Sequence, residues 1–179
     1  MNFKERYQSN KNLLEWFDTV ALAVAAVAIL FTVVVRIVMV DGASMEPTLL
    51  NGERLLITPM GTLQYGDIVV IDGYIPHGKP LVKRVIGMAG DEINIDFVSG
   101  VVYRNGIALE EPYTAEPTYA YEGMDFPITV PEHQLFIMGD NRNHSLDSRD
   151  PEVGCVDTRD VLGRVVWRIL PLNKAGAIE

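Results

Sequence analysis

The chain has 179 residues, a formal net charge of −9 and one cysteine. This length fits one domain of ordinary size plus a short appendage, and the acidic balance argues against a nucleic-acid partner, because phosphate binding needs a basic face. The lone cysteine, Cys155, excludes an intrachain disulfide, and the histidines lack the spacing of metal ligands, so we expect neither a metal nor another cofactor.

An uncharged, strongly apolar stretch runs from Thr19 to Val35, and apolar residues continue after Arg36 to Val40. At about 1.5 Å per residue, residues 19–40 would span roughly 33 Å as a helix, which is enough for the core of a bilayer. A buried core helix and a cleaved signal peptide are the alternatives, although a signal peptide has a shorter apolar region followed by a small-x-small site. The pattern predicts a single transmembrane helix over residues 19–40.

Basic residues are distributed unequally around this predicted anchor. Those before it are Lys4, Arg6 and Lys11, whereas only Arg54 is basic between positions 41 and 64. Basic residues beside a span favour the cytoplasmic side. We therefore expect residues 1–18 in the cytoplasm, and residues 41–179 as a domain on the outer face of the cell membrane.

The remainder of the chain reads as short β-type runs separated by turn signals. The candidate strands are ERLLIT, DIVVID, LVKRVIG, EINIDF, VVYR, IALE, QLFIMG and VLGRVVWRIL. Asn105-Gly106, between VVYR and IALE, is a strong signal for a two-residue hairpin turn. The sequence predicts an all-β domain, either a partly open barrel or a sandwich, with a small β or loop excursion over about residues 96–131.

Four segments hold the residues that could carry chemistry: Gly42–Leu49, Tyr65–Val70, Val82–Gly87 and Gly139–Arg149. Taken singly, each is ambiguous. Ser44 fits a turn before a strand. Lys83 is either a lysine of an edge strand or a desolvated one whose neutral amine acts as a base. Asp147 and Arg149 could form a surface ion pair that contributes little to stability.

Taken together and in this order, the four segments resemble the type I signal peptidase family, in the single-span form common in Gram-positive bacteria. The resemblance rests on a serine box, GASMEPTL, a GDIVV box, a KRVIG box followed by Gly90-Asp91, and the box GDNRNHSLDSR, all placed after an apolar segment. It covers the whole chain and implies an all-β catalytic domain whose core is shared with self-cleaving bacterial repressors.

The resemblance also implies roles for individual residues. Ser44 matches the nucleophile, Lys83 the general base, and Ser145 a hydroxyl that hydrogen-bonds the lysine and orients it. Asp147 and Arg149 match an ion pair that supports the catalytic loop. The residues that match the substrate cleft are Val40, Met45, Leu49 and Leu81.

The implied activity is cleavage of signal peptides from exported preproteins at the surface of a lipid bilayer. A serine hydroxyl needs a base to become a nucleophile, and Ser–Lys is a recognised variant of triad chemistry. Some relatives carry a serine two residues before the nucleophile as an oxyanion donor, but this chain has Gly42 there, which leaves the second donor open. The alternatives are a soluble self-cleaving repressor, a tethered binding module without activity, and a peptidase specialised for a few substrates such as pilins.

Overall fold

The computed structural model describes residues 3–29, 35–59, 61–73 and 78–178. The chain forms two units, residues 1–36 and 37–179. The first contains helix α1, Phe3–Ile29, whose amino-terminal half is polar. Within the described ranges, no helix combines the length and the apolar character needed to cross a membrane. The predicted anchor continues through residues 30–34, which lie outside those ranges.

The end of the predicted anchor is a strand and not a helix. Arg36–Met39 forms β1 at the edge of a sheet. Val38 and Val40 pack into a hydrophobic cluster with Leu55 and other core residues. β-Branched residues such as Ile37 and Val38 favour extended backbone, and pairing with β2 and the packing of Val38 reinforce that preference here. The prediction of a helix reaching residue 40 was therefore wrong over these positions.

The second unit is mostly β, as predicted, and each of the eight predicted runs contains a strand. After β1 the strands are β2 (Arg54–Thr58), β3 (Ile68–Ile71), β4 (Leu81–Met88), β5 (Glu92–Asp96), β6 (Val101–Arg104), β7 (Ile107–Ala108), β8 (Ile128–Thr129), β9 (Gln134–Met138), β10 (Val156–Asp157), β11 (Val161–Leu170) and β12 (Gly176–Ala177). Asn105 and Gly106 have φ values of 54° and 78°, so they form the predicted hairpin turn between β6 and β7.

The strands form two sheets. The larger has the order β1-β2-β11-β3-β4-β9-β10, with β12 also paired to β11, and the smaller has the order β7-β6-β5-β8. The excursion predicted over about residues 96–131 contributes β6, β7 and β8 to the smaller sheet. Because β4 lies between β3 and β9, Lys83 is not on an edge strand.

Both faces of the larger sheet are covered at its centre. Along β3, Ile68 and Val70 pack into one hydrophobic cluster, and Val69 and Ile71 pack into another on the opposite face. A strand buried on both faces reads as a continuous apolar run, which explains the sequence IVVI. The neighbouring strand β4 is buried in the same way, and this places its charged residues inside the domain.

Candidate active site

Ser44 lies in the turn that follows β1, and Asn141 fixes this turn from a distant part of the chain. The backbone N–H of Asn141 donates to the Ser44 carbonyl at 3.0 Å, and its side chain donates to the Ala43 carbonyl at 3.0 Å. These two bonds join the serine box to the GDNRNHSLDSR segment. The Ser44 side chain faces Lys83 of β4.

Lys83 approaches Ser44 from the middle of β4. Its side chain is only 2% exposed. Its Nζ lies 2.8 Å from Ser44 Oγ and 3.0 Å from the carbonyl oxygen of Val82. Burial lowers the pKa of Lys83 from 10.5 to about 8, against the opposing pull of Asp147 and other carboxylates. The distance and the lowered pKa both suit proton transfer between the two side chains.

Asp147 and Arg149 form a fully buried pair, and not the surface pair that the sequence left open. Two bonds of 2.8 and 2.9 Å join the guanidinium to the carboxylate, and both side chains are 0% exposed. Asp147 also accepts a hydrogen bond from the Gly139 backbone N–H at 2.9 Å. The pair thus ties the loop to the end of β9.

Ser145 does not form the expected hydrogen bond with Lys83. Its hydroxyl donates to Asp147 Oδ2 at 2.8 Å, because a carboxylate is a stronger acceptor than an amine and lies two residues away. Gly139 packs directly against Ser145, and a Cβ on Gly139 would overlap both Ser145 Oγ and the Ser44 carbonyl. Ser145 therefore belongs to the supporting network behind the Ser44–Lys83 pair.

A second buried ion pair, which the sequence did not reveal, lies beside the first. Arg84 donates to both carboxylate oxygens of Asp140 at 2.9 and 2.8 Å, and Thr48 Oγ1 donates to the same carboxylate. The three residues come from β4, the loop after β9 and the serine box. Arg84 and Asp140 directly follow Lys83 and Gly139 in sequence, which could have marked the two residues as part of the site but not their pairing.

A cleft of about 650 Å³ opens beside Ser44 and Lys83. Of the four residues expected to line it, Val40, Met45 and Leu81 do so. Leu49 is 0% exposed and packs in the core, so it does not contribute to the wall. Lining residues that sequence reasoning missed include Val38, Asp41, Lys79 and Leu162. All but Leu162 lie within a few residues of Ser44 or Lys83.

Cys155 offers no competing nucleophile. It is partly buried, and desolvation raises the pKa of its thiol to about 11. A reactive cysteine needs the opposite shift. Cys155 therefore does not meet the requirements of a thiol nucleophile.

A serine hydroxyl in contact with a buried lysine of lowered pKa, at the side of an apolar cleft in a mostly β domain, has the geometry of a Ser–Lys hydrolase. A family model described as "Signal peptidase, peptidase S26" matches residues 13–170. The chain belongs to this family, and the resemblance drawn from its four segments is confirmed.

Characterised relatives match over nearly the full chain. A signal peptidase I of Bacillus licheniformis is 35% identical over 183 aligned residues, covering 96% of each protein. Signal peptidase I S of Bacillus subtilis strain 168 is 32% identical, covering 95% of this chain and 96% of the relative. A crystal structure of a signal peptidase I from Enterococcus faecalis V583 is 30% identical, with a TM-score of 0.48, and covers 59% of this chain and 97% of the other.

Proposed function

We propose that this chain is a membrane-bound serine endopeptidase that removes N-terminal signal peptides from exported preproteins, with Ser44 as nucleophile and Lys83 as general base. The observation that carries the proposal is the 2.8 Å contact between Lys83 Nζ and Ser44 Oγ beside the cleft of a signal peptidase family member.

Catalysis begins with neutral Lys83. With a pKa of about 8, an appreciable fraction of the amine is neutral near physiological pH. Ser44 Oγ attacks the scissile carbonyl carbon while its proton passes to Lys83 Nζ. The lysine then gives this proton to the leaving amine, and water hydrolyses the acyl-enzyme by the same route.

The tetrahedral intermediate needs hydrogen-bond donors for its oxyanion. The backbone N–H of Ser44 is the first donor. Gly42 has no hydroxyl, and its backbone N–H donates to Asn51 Oδ1 at 3.0 Å, so it is already engaged. The second donor is therefore another backbone N–H or a water molecule.

The proposed location follows from the sequence around the nucleophile. Residues 1–18 are assigned to the cytoplasm, an anchor within residues 19–35 to the bilayer, and the β domain to the outer face. The uncharged run before Arg36 and the basic residues ahead of it support this orientation. Ser44 follows residue 35 by nine positions, and the cleavage site of a signal peptide likewise emerges just past its apolar region.

The direct test is cleavage of an exported precursor by the purified full-length chain, followed by sequencing of the released amino terminus. We expect a single cut at the end of the signal peptide, and loss of cleavage in Ser44→Ala and Lys83→Ala. Ser99→Ala and Lys174→Ala are matched controls, because both residues are exposed and neither lines the cleft. Normal processing by Lys83→Ala would rule out the proposed base.

A further inference from the structure

A second segment of the chain contacts and supports the catalytic loop, which is the segment Gly139–Arg149. Residues 111–124, the support segment, are joined to the loop by side-chain and backbone hydrogen bonds. Asn143 Oδ1 accepts from the backbone N–H groups of Tyr119 and Ala120 at 2.8 and 2.9 Å, and its amide nitrogen donates to the Pro117 carbonyl at 3.1 Å. The geometry of the catalytic loop therefore depends on this segment.

Arg149 also joins the catalytic loop to the support segment. Its Nη1 donates to the Ala120 carbonyl at 3.1 Å, and its own carbonyl accepts from the Met124 backbone N–H at 3.0 Å. Glu122 lies between these two points, with Oε1 at 3.4 Å from Arg149 Nη2. The guanidinium that holds Asp147 is thus shared with a second carboxylate.

The Glu122 side chain is 18% exposed, and its Oε2 is buried without a hydrogen bond to any described residue. A carboxylate placed this way is costly, and the contact of its other oxygen with Arg149 offsets only part of that cost. We propose that Glu122 is a positioning residue of the Ser44–Lys83 site, which shares the Arg149 guanidinium with Asp147 and adds a second negative charge behind the lysine; this inference rests on the proposed function.

The charges around Glu122 explain why it can respond to pH. Burial raises its pKa from 4.5 to about 7, and the nearby carboxylates of Asp147 and Asp150 act in the same direction. Arg149 and the Asp147 backbone N–H oppose the rise. Glu122 is therefore largely ionised in the range where Lys83 loses its proton.

The ionised carboxylate in turn acts on Lys83. Burial lowers the lysine pKa, while Asp147, Glu122 and Asp140 each raise it and Arg149 lowers it. Removing the charge of Glu122 removes one of the interactions that raise the Lys83 pKa. Burial should then lower this pKa further. The neutral, active amine would then form at a lower pH, and the rising limb of the pH–rate profile would move with it.

The experiment compares the wild-type full-length chain with Glu122→Gln by NMR titration of the lysine Nζ groups, with the Lys83 resonance assigned by its loss in Lys83→Ala. We expect the Lys83 midpoint to fall by about 0.3 pH unit or more, which doubles the neutral fraction below the midpoint. The rising limb of kcat/KM should shift by the same amount. Glu122→Asp, which keeps the charge, should restore a midpoint near that of the wild type.

Glu116→Gln is the matched control, because it removes one charge from an exposed residue of the same support segment. An unmoved Lys83 midpoint in Glu122→Gln, or an equal shift in Glu116→Gln, would overturn the inference. The titration needs no substrate. A wild-type chain that fails to cut any precursor would defeat the proposed function, whereas an active chain with an unmoved midpoint would defeat this inference alone.

Discussion

Holding Lys83 inside the domain lowers the stability of the folded state at neutral pH. Its pKa falls from 10.5 in the unfolded chain to about 8, so the folded state binds fewer protons between these values. Stability consequently rises with pH across that window, and the cost below it is about 3 kcal/mol. Active sites commonly retain such unfavourable groups because activity requires them.

Replacing Lys83 with methionine should remove this cost and the activity together. We expect Lys83→Met to raise the free energy of unfolding at pH 7 by about 3 kcal/mol or somewhat less, since methionine fills similar space without a charge. Urea unfolding at pH 7 and at pH 10 checks this. The gain should shrink at the higher pH, and a gain independent of pH would contradict the assigned titration.

Gly139 matters because a larger residue cannot fit between Ser145 and Ser44. We expect Gly139→Ala to displace the serine turn and to lower kcat by about 10²-fold, the scale associated with small misplacements of catalytic groups. Gly176→Ala is the control, since a Cβ there meets nothing within 4 Å. Steady-state kinetics on a precursor peptide provides the measurement, and near-normal kcat for Gly139→Ala would contradict the crowding.

At the level of elements, two ion pairs of Asp-x-Arg spacing, Asp147–Arg149 and Asp157–Arg159, lie in different environments. Asp147–Arg149 is fully buried, whereas Arg159, the partner of Asp157, is 87% exposed. Removing Asp147 leaves the buried Arg149 guanidinium with the longer Glu122 contact as its ion pair, so Asp147→Ala should cost about 3–5 kcal/mol and reduce activity in parallel. Asp157→Ala should have a much smaller effect on both.

Thermal unfolding of the two variants distinguishes structural support from chemistry. A large fall in Tm for Asp147→Ala only, accompanied by lost activity, fits the supporting role. Lost activity with an unchanged Tm would instead indicate that Asp147 takes part in the reaction itself.

The cleft between the segment after β1 and the start of β4 should restrict the substrate. With Val40, Met45 and Leu81 as apolar walls, we expect small residues, mainly alanine, at positions −1 and −3 relative to the cut. Comparing kcat/KM for peptides with alanine or leucine at −1 tests this. Equal rates would mean that these walls do not select the substrate.

For the molecule as a whole, sequence patterns predicted the longer strands because their apolar residues alternate, as in β5, or run without interruption, as in β3. Two-residue strands such as β8, β10 and β12 are too short to show one. The apolar residues of Arg36–Met39 predicted a membrane helix because apolar character alone does not separate such a helix from a strand at the edge of a sheet.

The candidate site could also be predicted only in part from the sequence. Ser44 and Lys83 could be identified because each stands in a recognisable segment. The Arg84–Asp140 pair, the Arg142–Glu111 pair and the contact of Glu122 with Arg149 join residues far apart in the chain, and spacing does not predict them. Leu49 is apolar like the residues of the cleft wall, but its side chain packs in the core.

The pH dependence of kcat/KM on a short precursor peptide tests the central claim most directly, because this ratio reports the free enzyme. In the proposed mechanism the neutral amine of Lys83 is the active form, so the rate should rise with pH and reach half its limit near pH 8. A rising limb with a midpoint near the 10.5 of an ordinary lysine would contradict a buried lysine base. A rising limb that persists unchanged in Lys83→His would also contradict it.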